Sequence, residues 1–522
     1  METFELIVLL IVGVVALVWL ANRVNIPYPM LLMLGGLAIA ILPGTPSIEL
    51  EPEVVLVIFL PPILFQAAQT TSVRDFKANF STISRLALGL VLVTTIAVAV
   101  VAHWIIPGIG WPAAFVLGAV VSPPDAVAAT AIFQRLGAPS RIVTILEGES
   151  LINDASAIVL YTFAVAAVVT GEFSMSEALL EFVIVVVVGI LVGAVIGRLL
   201  GRLTELLNDA ALSLVVLLLI PVAAYVLAER LGGSGVLAVV TAGLIHGYMT
   251  PRTMSSALRV RSLVVWDLVI VVINGLVFLL IGLEMGVLLD TLSDQKLLDV
   301  LWHSLAVLVV LVAVRFLYVF ATTWNQSRRG KGGPALDHRY QFVIAWSGLR
   351  GVVTLAVALA LPLVVDSGEA FDHRDEIILI SAIVVVVSLF GFGLPLPSIL
   401  NRLNFAHDDS HDRELRLATD KVYGAMFEQY HEGIEAHPEL ADSLKPLIKQ
   451  LETMRARATH PDATGRDGHA ALELSPRTQV RLRAIAAGRE TLIDLRDRGE
   501  IGDEVRRIVE NNLDLEELRV SG

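Results

Sequence analysis

Long apolar runs, separated by short polar connections, occupy roughly the first 400 residues of the chain. A run of roughly 20 apolar residues is long enough to cross a bilayer as a helix. About 13 such runs are present, at roughly 4–22, 28–43, 53–70, 86–106, 111–133, 150–170, 179–201, 210–229, 235–250, 266–290, 298–324, 340–363 and 376–400. The pattern therefore predicts an all-α polytopic membrane protein.

The composition changes abruptly near residue 402, where charged and helix-forming residues replace the apolar runs. The last segment, "RAIAAGRETLIDLRDRGEIGDEVRRIVENNLDLEELRV", carries its apolar residues at helical spacing. We therefore predict a transmembrane domain over residues 1–401 and a cytoplasmic helical domain over residues 402–522. A packing or dimerisation module is the interpretation we favour for the second domain over a ligand sensor.

Composition excludes several classes of protein. The chain has 522 residues, is 55% hydrophobic and contains no cysteine, so disulfides, thiolate metal sites and cysteine nucleophiles are absent. The net charge of -13 gives no reason to expect a nucleic-acid partner. The N-terminus lacks a basic region and a cleavage site, so we interpret it as a retained first span.

The distribution of Lys and Arg predicts the orientation of the spans. Basic residues concentrate on the cytoplasmic side of membrane proteins. One alternating set of connections holds only Arg230, Lys296 and Arg374, whereas the other holds Arg23, Arg74, Lys77, Arg85, Arg135, Arg141, Arg198, Arg202, Arg252, Arg259, Arg261, Arg328, Arg329, Lys331 and Arg339. This bias predicts an outside N-terminus and a cytoplasmic C-terminus.

Two spans contain signals for a helix break near mid-membrane. In "AAFVLGAVVSPPDAVAATAIF", Pro123 and Pro124 remove two backbone donors, and Asp125 follows them. In "FVIAWSGLRGVVTLAVALALP", Arg350 lies between two glycines and stays charged. Broken helices in corresponding spans of two halves are typical of transporters with inverted repeats. Asp125 can serve either as a helix cap or as an ion contact.

The sixth span places four polar residues on two neighbouring faces of one helix. Residues four apart share a face, so Glu149 lies beside Asn153 and Ser150 lies beside Asp154. The oxygens of Ser150 and Asp154 suit a hard cation such as Na⁺. Glu149 and Asn153 are placed to hold Arg350. Because burial disfavours a charged carboxylate, proton and sodium would compete for Asp154.

Other polar residues in the spans receive structural interpretations. Glu147 is predicted to cap the start of the sixth span. We expect packing or interfacial roles for His103, His246 and His303, and for most of Asp267, Asn274, Glu284 and Arg315. Asp267 is the exception to test first.

Four stretches resemble a known family. "GESLINDASAIVLY", "SPPDAVAATAIF", "FLPPILF" and "WSGLRGVVTLAVALALP" are similar to the cation:proton antiporter-1 family, the NhaP-like relatives of animal sodium/proton exchangers, and the likeness spans roughly residues 4–400. The resemblance implies a homodimer of 13-span protomers, each with a six-helix core that moves against a dimerisation unit. It implies Na⁺ and H⁺ as substrates, a lipid environment, no cofactor and no enzymatic activity.

The resemblance also implies roles for particular residues. Asp154 matches the essential ion- and proton-binding aspartate, Asn153 its partner and Ser150 a further ion ligand. Glu149 and Arg350 match a structural ion pair bridged by Asn153. Members with this Asn are electroneutral, exchanging one Na⁺ for one H⁺.

Two positions depart from the family pattern. The usual Thr-Asp-Pro is replaced by Pro124, Asp125 and Ala126, so any contribution there must come from the Pro124 carbonyl. Gln66 replaces an acid after "LPPILF".

Three other functions compete with Na⁺/H⁺ exchange. K⁺/H⁺ exchange would use the same fold. A cation channel would need a continuous pore lined by carbonyls or charges. An intramembrane protease would use the "GGSG" at Gly232–Gly235, with Ser234 as nucleophile and His246 nearby.

Overall fold

The computed structural model describes residues 2–24, 28–40, 56–125, 129–130, 133, 140–171, 175–207, 209–291, 294–329, 338–403, 409–459 and 476–521. In these ranges the chain is helical apart from turns and one isolated bridge between Val364 and Ala370. Seven of the described helices are long and apolar enough to cross a membrane, and five shorter helices are also apolar. The predicted all-α polytopic fold is confirmed.

One group of helices forms a bundle that we call the first bundle. It contains α1 (Glu2–Val24), α2 (Tyr28–Ala40), α3 (Leu60–Thr70), α8 (Met175–Leu206), α9 (Ala210–Arg230), α10 (Gly235–Thr253) and α11 (Ser256–Thr291). Helix α11 packs along α2, and α8 packs along α10. A Cβ on Gly36 would overlap the carbonyl of Leu279, and one on Gly282 would overlap that of Met33. Small residues thus let α2 and α11 approach closely.

The remaining membrane helices form the second bundle. It contains α4 (Val73–Ser84), α5 (Val91–Ile105), α6 (Trp111–Val121), α7 (Ser140–Thr170), α12 (Asp294–Arg329), α13 (His338–Trp346), α14 (Val352–Leu359), α15 (Arg374–Ser388) and α16 (Leu396–Leu403). Helix α11 contacts α14 and α15, while α3 and α10 contact α7, and these contacts join the bundles. The short turn at residues 71–72 connects α3 in the first bundle to α4 in the second.

Two π-helical turns interrupt helices of the second bundle, at Arg85–Leu90 and Leu389–Gly393. In both π turns a backbone carbonyl accepts a hydrogen bond from a side chain. The side chains come from neighbouring helices: Ser156 donates to the Ala87 carbonyl at 2.7 Å, and Trp346 donates to that of Phe392 at 3.1 Å. The side chains fix both turns in place.

Four helices follow the membrane bundles and have a hydrophobic core of their own. They are α17 (Asp409–Ala436), α18 (Ala441–Thr459), α19 (Pro476–Asp497) and α20 (Asp503–Ser521). Buried apolar residues such as Val422, Ile485 and Val509 belong to this core. We call these helices the tail, and α20 packs against α11 of the first bundle.

Candidate functional site

The first predicted helix break lies at the end of α6. This helix ends at Val121, and the backbone of residues 122–125 is not helical. Pro123 and Pro124 lack the N–H groups that would continue the helix. The prediction that the two prolines break this span is confirmed.

The second break separates α13 from α14 and crosses the first. Helix α13 ends at Trp346, and α14 begins at Val352 after a non-helical segment. The Asp125 N–H donates a hydrogen bond of 2.7 Å to the Leu349 carbonyl, so the two breaks touch. Each break thereby supplies polar groups to the other in the middle of an apolar bundle.

Opposite charges compensate the helix ends at this crossing. Arg350 donates to the carbonyls of Val121 (2.9 Å), Ser122 (3.4 Å) and Gly348. The first two lie at the C-terminal end of α6, where the helix dipole is negative. Arg350 therefore neutralises a helix end.

Asp125 has the reciprocal position at the start of α14. A Cβ on Gly351, the residue before this helix, would overlap the Asp125 carboxylate. The N-terminus of a helix carries partial positive charge, which stabilises a nearby carboxylate. Only glycine permits this approach, so Asp125 lies against the start of the opposite broken helix.

The predicted start of the sixth span is wrong. Helix α7 begins at Ser140, so the "EGESLIND" stretch lies well inside it, and Glu147 does not cap its start. The segment "SRIVTIL" is apolar enough to extend the helix, and Ile142, Ile145 and Leu146 are buried. As a result, Asn153 and Asp154 are more than three turns from the helix N-terminus.

Asn153 and Asp154 lie beside the crossing. The Asn153 amide donates to the Pro124 carbonyl at 3.0 Å, while its Oδ1 is buried and has no partner among the described residues. Asp154 is only 8% exposed, and Asp125 is its electrostatic neighbour. Within the described ranges, no ion pair or hydrogen bond engages the Asp154 carboxylate.

Glu149 has a different partner from the one that the sequence predicted. Arg315 of α12 contacts it with two bonds, Nη1 to Oε1 at 2.6 Å and Nη2 to Oε2 at 3.1 Å. Arg315 also donates to the Ile344 carbonyl, and both side chains are buried. The predicted Glu149–Arg350 pair is corrected, because Arg350 extends to the carbonyls at the helix break. Asn153 likewise binds Pro124 rather than bridging an ion pair.

Arg315 is the residue that the sequence interpretation missed. It lies in the apolar run "LVVLVAVRFLYVF". An arginine stays charged in a membrane and therefore needs a partner. The same reasoning was applied to Arg350. A charged arginine inside an apolar run was therefore the signal that could have identified Arg315 as a partner for a buried acid.

The other sequence-predicted residues are less closely connected to the crossing. Ser150 is half-buried on α7, one turn before Asp154. Gln66 is half-buried on α3, which packs against α7, but its side chain makes no hydrogen bond to the described residues. Asp267 is exposed on α11.

The geometry argues against the protease interpretation. Ser234 caps α10, since its hydroxyl accepts the Leu237 N–H at 3.2 Å. His246 lies on the same helix twelve residues later, which corresponds to roughly 18 Å along the axis. The two side chains cannot form a nucleophile–base pair.

Two crossed helix breaks and a buried carboxylate inside a membrane bundle are the features of a secondary transporter. The family described as "Sodium/hydrogen exchanger, transmembrane" matches residues 7–402. The chain therefore belongs to the sodium/hydrogen exchanger family. It is a multi-pass membrane protein of a transporter family, not an enzyme, and its family supports monovalent cation:proton antiport.

Individual proteins agree with this assignment. An uncharacterised Na⁺/H⁺ exchanger of Mycobacterium tuberculosis is 34% identical, covering 98% of this chain and 95% of its own length. A "Sodium, potassium, lithium and rubidium/H(+) antiporter" of Bacillus pumilus is 32% identical, covering 83% of this chain and 67% of that protein. The sodium proton antiporter MjNhaP1 of Methanocaldococcus jannaschii has the same fold, with a TM-score of 0.61, 19% identity, and coverage of 78% of this chain and 99% of that one.

Proposed function

We propose that the protein exchanges Na⁺ for H⁺ across the cytoplasmic membrane by alternating access around Asp154. One observation carries the proposal: Asp154 is a buried acid without an ion pair in the described part of the chain. A buried carboxylate is costly unless its charge is compensated. A proton or a bound cation supplies the same compensation, so Asp154 can release one as it binds the other.

The charges around Asp154 support this role because each is balanced by another group. Glu149 is balanced by Arg315, and Arg350 lies at the negative end of α6. Asp125 lies at the positive end of α14. These groups are compensated within the protein, which leaves Asp154 as the acid that requires a proton or a cation.

Oxygen atoms around Asp154 suit Na⁺ as the substrate. The unpartnered Oδ1 of Asn153 is a hard oxygen ligand, as are the Ser150 hydroxyl and the Pro124 carbonyl. We assign Asp154 and Ser150 as the principal ligands. Asp125 and Gln66 complete the proposed set.

The proposed stoichiometry is one Na⁺ for one H⁺. Asn153 cannot titrate, so of the adjacent pair only Asp154 carries a proton. One cation then replaces one proton, and each cycle moves no net charge.

We further propose the arrangement of the protein in the membrane. The second bundle moves against the first, which forms the contact of a homodimer. The N-terminus lies outside, and a transmembrane domain of residues 1–401 precedes a cytoplasmic domain of residues 402–522. The Lys and Arg bias supports this orientation.

K⁺/H⁺ exchange is the second candidate. The relative from Bacillus pumilus is named as an antiporter of sodium, potassium, lithium and rubidium. Replacement of an acid by Gln66 removes one negative charge near the proposed ligands, which changes how tightly a small cation is held. Li⁺ is expected to be accepted together with Na⁺.

The test is cation-induced dequenching of a pH-sensitive dye in inverted vesicles. Wild-type protein should respond to added Na⁺, and Asp154→Asn should give no response while retaining the folded protein peak in detergent. Asp267→Asn is the matched control, because it removes an exposed acid from another membrane helix. Exchange that persists in Asp154→Asn would remove the central proposal.

Two further results of the same assay would change the substrate or the mechanism. A response to K⁺ alone would keep Asp154 and replace Na⁺ by K⁺. Cation uptake without proton movement would indicate a channel.

A further inference from the structure

We infer that Tyr28 and Asn274 of the first bundle form a second cation-binding point, which a Na⁺ ion occupies as it travels to or from Asp154. The inference rests on the proposed function, because it concerns the path of the exchanged cation. It gives Asn274, for which a packing role was expected, a part in ion binding.

The pair lies where α2 and α11 pack together. Tyr28 is the first residue of α2, and the Asn274 amide on α11 donates to its hydroxyl, with 3.5 Å between Nδ2 and Oη. About two turns further along the two helices, Gly36 and Gly282 let the backbones approach closely. A close helix contact therefore holds the two side chains in place, as a ligand position requires.

Asn274 has a polar atom that nothing in the described part of the chain satisfies. Its Oδ1 is buried and accepts no hydrogen bond from the described residues. Burying an amide oxygen without a partner costs free energy, so such an atom calls for an explanation. Together with the lone pairs of the Tyr28 hydroxyl, Oδ1 offers hard oxygen atoms of the kind that bind Na⁺. A bound cation would satisfy this oxygen.

An acid of the second bundle supplies the charge that attracts a cation to the pair. Asp125 is an electrostatic neighbour of Tyr28 and also of Asp154, so one carboxylate links the pair to the proposed ion site. The helix contacts agree, because α11 packs against α14 and Asp125 lies at the start of α14. Neutral oxygens of one bundle and a carboxylate of the other thus meet where the bundles join.

This combination suits a passing cation. An ion in transit must be bound favourably enough to enter and weakly enough to leave. Tyr28 and Asn274 offer neutral oxygens, whereas Asp154 offers a carboxylate, so the ion is held more tightly at Asp154. A pair that only packed the helices would need neither the unsatisfied oxygen nor the charged neighbour. The buried Ile273 and Val277 of α11 already supply apolar packing there.

Sodium titrations of the dye assay at constant pH test the pair. Tyr28→Phe and Asn274→Leu remove the oxygens and largely keep the side-chain shapes. Each should raise the Na⁺ concentration for half-maximal exchange about tenfold or more, the scale of one polar contact to a charged group, while exchange at saturating Na⁺ is largely retained. Tyr225→Phe is the matched control and should change neither quantity, because Tyr225 is a buried tyrosine of the same bundle whose acidic neighbour is Glu229.

Three outcomes would overturn the inference. An unchanged half-maximal concentration in both variants would show that the cation does not meet the pair. A lower maximal rate at an unchanged half-maximal concentration would show that the pair only packs α2 against α11. An equal rise in Tyr225→Phe would show that any lost tyrosine hydroxyl of this bundle has the same effect.

Cation binding to the purified protein separates this failure from failure of the proposed function. The midpoint of thermal unfolding in detergent is followed as Na⁺ replaces choline at constant ionic strength, which needs no transport. The Na⁺ concentration that gives half of the stabilisation should rise in Tyr28→Phe and Asn274→Leu. Wild-type vesicles without cation-driven proton movement would refute the proposed exchange, whereas equal Na⁺ titrations of wild type and variants would refute only the added binding point.

Discussion

Replacing Arg315 by Met should destabilise the protein in a way that removing Glu149 reverses, whereas removing Glu149 should not reverse the loss caused by Arg350→Met. Arg315 forms two bonds to Glu149, and both side chains are at most 4% exposed. Its removal leaves a buried carboxylate without a partner, which costs about 3–5 kcal/mol. Arg350 binds three carbonyls, and each neutral group of this kind that is left unsatisfied costs about 1–3 kcal/mol, so the two losses are of similar size.

Thermal unfolding in detergent measures the difference. Both variants and the wild type are heated, and the remaining monodisperse protein is quantified by size-exclusion chromatography. Arg315→Met and Arg350→Met should both have a lower midpoint than the wild type. The double variant Arg315→Met with Glu149→Leu should recover most of the loss, because apolar residues of similar volume replace a buried pair at little cost.

Two results would refute this reasoning. If Glu149→Leu rescued Arg350→Met, Glu149 would pair with Arg350 as the sequence suggested. If Glu149→Leu failed to rescue Arg315→Met, the lost stability would come from the Ile344 carbonyl or from packing, and not from the ion pair.

The remaining predictions concern the helix crossing and the stoichiometry. Gly351→Ala should abolish or strongly reduce exchange, because its Cβ would overlap the Asp125 carboxylate; the vesicle dye assay measures this, and normal exchange would contradict the close approach. A sodium gradient should drive no current in proteoliposomes carrying wild-type protein, since Asn153 does not titrate; a sustained Na⁺-dependent current on a supported membrane would rule out the one-for-one exchange.

Local chemistry accounts for the features that the sequence predicted correctly. Pro123 and Pro124 cannot donate backbone hydrogen bonds, so the end of α6 follows from the residues themselves. The long apolar runs require helices, because a bilayer offers no other partner for the backbone. For the same reason, the membrane character of the chain is readable without any knowledge of its tertiary contacts.

The start of α7 shows where local reasoning fails. An acidic cluster beginning at Glu147 looks like the end of an apolar helix and the beginning of another. In the structure the helix passes through the cluster, since Arg315 balances Glu149 and the Pro124 carbonyl binds Asn153. These partners lie 166 and 29 residues away along the chain.

By itself, the amino-acid sequence determined that the protein spans a membrane, where two of its helices break and that buried acids and arginines must find partners. Only the tertiary structure decided which partners they find. A charge in a bilayer must be compensated, but any opposite charge or helix end can do so, and the choice depends on which helices pack together. Packing therefore places Arg315 on Glu149, Arg350 on the end of α6, and Asp514 of the tail on Arg259.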